Sequence, residues 1–205
     1  DARRVFWPAL TNSAVISFGV TIGVVVVASL AAYAFSRFEL FWSSTLYSGF
    51  LATRLLPPIV AVLPLYSLGS ELGLIDTRLI LIVIYMALLV PLAIWLLRQY
   101  FDAIPIEIEE AAQTDGASRL QTLWKITLPL AAPGIVAVGL LMFAEAWNEF
   151  MFAVMFTDIH ARTLPVVLSE GRAELLEEFP WLARNLMDAF EEAKRLAYRR
   201  LRDPR

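Results

Sequence analysis

An all-α, polytopic membrane bundle is the fold class this sequence predicts, and three observations predict it. The chain is 59% hydrophobic with a mean hydropathy of +0.64, well beyond an ordinary soluble domain. Residues 14–35 and 79–97 contain no charged side chain, and a helix needs roughly 20 apolar residues to cross a bilayer. Between apolar segments lies a polar, charged island at 99–130. That pattern divides the chain into a membrane unit at 1–169 and a charged tail at 170–205.

The elements follow in order. Residues 1–12 read as a polar lead-in, and span one runs over 13–35. A short turn at 36–43 carries Arg37 and Glu39. Span two, at 44–69, is apolar apart from Arg54, and its Pro57, Pro58 and Pro64 are expected to break it. A loop at 70–77 leads to span three at 78–98, where Pro91 predicts another break. The island follows, then span four at 133–156, which carries Glu145 and Glu149, then a loop at 157–163. The count is about four spans. The first lacks a cleavage-like end and does not read as a signal peptide. In the tail, close to half the residues are charged, which forbids a span. Leu175, Phe179, Leu182, Leu186 and Phe190 recur at helical spacing there, predicting an amphipathic helix for a membrane surface or a partner helix.

The island is the most informative stretch. Pro105 suits the start of a helix. Glu107, Glu109 and Glu110 crowd its first turns, where the helix dipole favours acid. Ala111 and Ala112 favour helix with almost no bulk, so a partner surface can come close. Gly116 can take the left-handed geometry that ends a helix. A second short helix is expected from Ser118 to Lys125, with the chain re-entering the membrane after Pro129 and Pro133. A short helix is thus presented to water by two spans.

Several functions are excluded by composition. There is no cysteine, and His160 is the single histidine, so thiol chemistry and a histidine metal cluster are ruled out. A net charge of −3 gives no case for nucleic acid. No phosphate-binding G-x-x-x-x-G-K-S/T run occurs, so ATP cannot be held in this chain through that loop. A membrane enzyme is the weakest reading, because no nucleophile–base pair is in view.

Candidate pathway residues come from polar groups at membrane depth. Arg54, ten residues into span two, is expected to face a cavity, to pair with Glu145 or Glu149, or to snorkel toward an interface, since a charge there is expensive. Glu145, Asn148 and Glu149 share one helical face beside Trp147. Such a stripe suits a carbohydrate route, and it equally suits interhelical hydrogen bonding. Tyr66 is a further candidate.

In pattern form the island reads E-A-A-x3-G-x9-I-x-L-P, from Glu110, Ala111 and Ala112 through Gly116 to Ile126, Leu128 and Pro129. It resembles the EAA loop of the inner-membrane permeases of ABC importers, and residues 10–169 resemble the MalG-like carbohydrate permeases. Asn12-Ser13, Leu74-Ile75-Asp76-Thr77, Trp147-Asn148-Glu149-Phe150 and Thr163-Leu164-Pro165-Val166 carry that wider likeness. The resemblance implies a multi-pass subunit of the cytoplasmic (inner) membrane of a bacterium or archaeon, with the island on the cytoplasmic side. The loop cations are evenly split and do not decide the orientation. It implies as partners a P-loop ABC ATPase dimer, a second permease subunit, an extracytoplasmic solute-binding protein, a sugar and membrane lipid. Glu110 would meet a basic residue of the ATPase, with Gly116 fitting the turn to its cleft. No cofactor is expected in this chain, with ATP and Mg on the ATPase. Family permeases usually have six spans, so first and last spans are expected to be missing here. The rival readings are an importer of another solute and a truncated, non-transporting membrane protein.

Overall fold

The structure, a computed structural model, describes residues 2–38, 49 and 57–170. The described residues form helices α1 (Ala2–Arg37), α2 (Ile59–Glu71), α3 (Arg78–Asp102), α4 (Ile106–Thr114), α5 (Arg119–Thr122), α6 (Leu128–Asn148), α7 (Met151–Phe156) and α8 (Leu164–Glu170). Three stretches are long and apolar enough to cross a membrane: Val5–Arg37, Arg78–Asp102 and Arg119–Asn148. No strand occurs among the described residues.

The helices α1 and α3 run parallel. Ile82 and Met86 of α3 lie over Gly19 and Gly23 of α1, where an added side chain would crowd them. The same register pairs Asn12 with Arg78 at one end and Ser36 with Asp102 at the other. The helix α6 returns antiparallel, its Phe143 ring 5.0 Å from Phe18 near the start of α1 and its Gly134 against the Tyr100 ring near the end of α3. The core lies on this three-helix seam. Ile16, Val20, Val24, Ala28 and Ala32 of α1 pack with Leu81, Tyr85, Leu97 and Phe101 of α3 and with Val138 and Met142 of α6. The opposite faces expose Ile22, Val26, Val136 and Leu140. An apolar outer surface around internally satisfied helices is what a lipid solvent requires.

Four expectations are corrected. The lead-in at 1–12 is not a loop: α1 begins at Ala2, Thr11 returns its hydroxyl to the Trp7 carbonyl, and Ala9 packs on Val167 of α8. Pro64 and Pro91 do not break their helices but sit inside α2 and α3, as neighbouring helices allow in membranes. The helix after Ser118 does not stop at Lys125. It runs through a π-helical turn at Leu123–Thr127 directly into α6, with the Leu128 N–H bonded to the Leu123 carbonyl. The cause is local: Pro129 has no N–H for the Lys125 carbonyl and would clash with it, and the wider turn relieves both. Finally, the fourth span ends at Asn148 rather than 156. Glu149 turns extended (ψ 129°) and α7 starts a separate helix. Of the predicted second span only the half from residue 57 is described, apart from residue 49. Arg54 and the tail beyond residue 170 lie outside the described residues.

Candidate functional site: two polar clasps joined by α1

The helix α4 is nine residues long and follows Pro105, whose backbone (φ −58°, ψ 132°) sets its start. It ends at the turn around Gly116 (φ 91°), a left-handed conformation that a side chain would strain. The Gly116 N–H bonds to the Gln113 carbonyl and the Ala117 N–H to the Ala112 carbonyl, closing the helix end. Ser118 then opens α5 with a reciprocal capping box to Gln121. Glu110 and Ala111 are exposed and Ala112 is half-buried. Ile126 and Leu128 are half-buried and Pro129 exposed, within the π-turn and the first residues of α6 rather than in a loop.

Glu109 is the one buried residue of α4, with 3% exposure. It is not a solvated dipole partner, as the sequence suggested. Its Oε1 accepts from Arg37 Nε at 2.9 Å and its Oε2 from the Tyr33 hydroxyl at 3.0 Å. Arg37 also donates to the carbonyls of Phe101 and Ile104 at 3.0 and 2.9 Å. Both carbonyls lie at or just beyond the end of α3, where the helical ladder runs out. One guanidinium therefore fastens α1, the end of α3 and α4 together. Beside it a shallow cavity of ≈ 140 Å³ is lined by Glu109, Glu110, Gln113 and Arg119, and the Arg119 guanidinium lies over the Phe38 ring at 5.4 Å.

The other end of α1 holds a second clasp. Buried Asn12 donates to the carbonyls of His160 and Arg162, both at 2.9 Å, and its Oδ1 accepts from Arg78 at 2.8 Å. Ser13 Oγ accepts the Leu164 N–H at 2.7 Å. Asp76 sits at φ 60°, a backbone that Asp tolerates better than most residues. Its carboxylate collects the N–H groups of Asp158, Ile159, His160 and Ala161 and the His160 ring nitrogen. Partial burial pushes the Asp76 carboxyl up, but the backbone donors of His160, Asp158 and Ala161 and the His160 ring outweigh it and hold it well below the usual range. Three segments distant in sequence, Asn12-Ser13, Asp76-Thr77 and 158–164, thus meet in one knot.

The pathway candidates do not converge on one face. Glu145 and Asn148 are exposed, and Asn148 donates to the Ala144 carbonyl of its own helix. Trp147 stacks on Phe143 at 5.5 Å. Glu149 leaves the stripe, because its carboxylate accepts the Phe152 and Ala153 N–H groups at the start of α7. Tyr66 is exposed, its ring edge-on to Phe156 at 5.6 Å. Sequence reasoning missed Tyr33 and the pairing of Arg37 with Glu109. Arg37, just past the uncharged run at 14–35, was the one visible signal; nothing in the sequence marked Glu109 as its partner.

Residues 4–174 match the family described as binding-protein-dependent transport system inner membrane component. The chain is 41% identical over 84% of its length to the trehalose/maltose transport system permease protein MalG of Thermococcus litoralis, covering 62% of that protein. It is 38% identical over 80% of its length to the trehalose transport system permease protein SugB of Mycobacterium tuberculosis, covering 60% of it. The crystal structure of a bacterial ABC transporter involved in the import of the acidic polysaccharide alginate has the same fold. That likeness has a TM-score of 0.66 at 24% identity, over 85% of this chain and 64% of that one. The chain spans less than two thirds of the length of these relatives.

Proposed function

The chain belongs to the family of binding-protein-dependent transport system inner membrane components, and from that premise we propose that it is a transmembrane subunit of an ABC importer for a sugar. It forms part of the translocation pathway and undergoes no covalent chemistry. A separate ATPase dimer holds ATP and Mg, a second permease subunit completes the pathway, and an extracytoplasmic binding protein delivers the substrate. The sugar class is supported by relatives named for trehalose and maltose.

One observation carries the reading: α4 shows Glu110 and Ala111 to solvent, with Gly116 exposed just beyond its end, while Glu109 is its one buried residue. A helix held by one buried side chain and flanked by two spans is a fitting docking element on the cytoplasmic side. Glu110 offers a charge to a basic group of the ATPase, Ala111 and Ala112 allow close approach, and Gly116 sets the turn. Ile126, Leu128 and Pro129 shape the helix that carries the element back into the membrane. The bundle alternates between inward-open and outward-open packings, biased by the ATPase. Tyr66, Trp147, Glu145 and Asn148 offer aromatic faces and hydrogen bonds to a sugar, and Arg54 remains a candidate.

The test is Glu110→Lys together with Gly116→Ile. Each is expected to reduce co-purification of the ATPase with this subunit by about tenfold. Unchanged co-purification in both would refute the docking assignment.

A further inference from the structure

Movement of α4 can reach the membrane-spanning helices by three routes. One runs back along the chain through 103–105 to α3. A second runs forward through the turn at Gly116 and α5, but it must pass the π-helical turn at Leu123–Thr127. There the hydrogen-bond ladder changes register, and such turns yield where a regular helix does not. The third route is not covalent and goes through Glu109 to α1.

The third is built as a rigid joint. Tyr33 and Arg37 are four residues apart on one face of α1, and each grips a different oxygen of the same carboxylate. Two points of attachment resist both sliding and rotation, where one would leave a pivot. The joint is largely out of water, with Glu109 3% exposed, so solvent offers few replacement partners as α4 moves. From Arg37 back to Asn12, α1 is helical without a proline, a span of about 37 Å at the usual rise. At that far end Asn12 and Ser13 hold backbone groups of residues 160, 162 and 164.

We propose that the grip of Tyr33 and Arg37 on Glu109 makes α1 the member that carries movement of α4 to the loop at 157–163. This rests on the reading of α4 as the ATPase-docking helix. Glu109 and Arg37 are then positioning residues: they touch neither ATP nor sugar, and they link the state of the ATPase to the far end of the bundle.

The absence of cysteine makes a reversible test possible. The full transporter is reconstituted with its ATPase, second permease and binding protein, carrying Arg37→Cys with Glu109→Cys. ATPase co-purification is expected to stay within about twofold of the unsubstituted protein, while substrate-stimulated ATP hydrolysis falls about tenfold. Bridging the two thiols with a short bis-methanethiosulfonate reagent is expected to restore stimulation, and reductant to remove it again in the same sample. Glu109→Gln, which keeps the side-chain shape, is expected to lose stimulation while retaining the ATPase. Full stimulation in the unbridged double variant or in Glu109→Gln overturns the proposal, as does a formed bridge that restores nothing. If the unsubstituted subunit itself retains no ATPase, the docking reading is what fails, and this inference falls with it.

Discussion

At the Arg37 end of the bundle the central contact is side chain to side chain, whereas at the Asp76 end most contacts run from side chain to backbone. The Arg37–Glu109 pair joins two helices through long, rotatable groups. The Asp76 carboxylate and the Asn12 amide instead pin consecutive peptide groups of one loop. The first arrangement fixes one helix relative to another and leaves each helix its own shape. The second fixes the shape of the loop itself. The difference fits an end that passes movement and an end that presents a defined surface.

The largest effect is expected from Glu109→Ala. It strands a guanidinium that is largely removed from solvent, and leaving one partner of a buried pair alone costs about 3–5 kcal/mol. Arg37 keeps its bonds to the Phe101 and Ile104 carbonyls, which places the expected loss near the lower figure. Thermal unfolding of the purified subunit in detergent measures it. A loss below about 1 kcal/mol, the scale of an exposed pair, would mean that the joint is wet and that the two ends differ less than their geometry implies.

A smaller loss is expected from Asp76→Ala. Four N–H groups lose their acceptor, but the site is open enough for water to replace part of it, so the cost is about 1–3 kcal/mol. This end also carries a pH signature. The Asp76 carboxyl is held below its ordinary value in the folded chain, so its contribution is present at neutral pH. It is lost as pH falls below roughly 4, the value of the unfolded group, toward the lower folded value. Asp76→Asn should flatten the acid limb of the stability profile. An unchanged acid limb in Asp76→Asn would remove the charge from the account of this knot.

Much of the bundle was legible in the sequence because hydropathy and helix punctuation are local. The uncharged stretches predicted the cores of α1 and α3, and Gly116 predicted the left-handed end of α4. What was not legible depended on tertiary pairing. Glu109 and Glu110 are adjacent acids in the same helix turn, and nothing in the sequence says that one is buried and the other exposed. Only the docking of α4 across the end of α1 separates them. The side chains of Glu145, Asn148 and Glu149 go separate ways for a related reason. Helical spacing presumes that the helix continues, and Glu149 leaves it to cap α7. Pro129 marked a boundary in sequence, yet the chain absorbed it with a π-turn rather than a break.

The smallest effect should come from Tyr33→Phe. The substitution removes only the hydroxyl that donates to Glu109 Oε2 at 3.0 Å. The ring stays packed edge-on against Phe101 at 6.0 Å, so no cavity forms. A hydrogen bond to a charged group contributes about 1.5–3 kcal/mol at most, and a neighbouring donor such as Arg37 can tighten on the freed carboxylate, so a loss of about 1 kcal/mol is expected. Stability and coupling should then separate. With one of its two attachments gone, Glu109 becomes a pivot, and substrate-stimulated ATP hydrolysis should fall further than a 1 kcal/mol loss of stability accounts for. If Tyr33→Phe lowers stability as much as Glu109→Ala does, the hydroxyl rather than the ion pair holds the clasp. If it leaves coupling untouched while Glu109→Gln abolishes it, a single charged contact is enough to drive α1, and the second attachment serves packing alone.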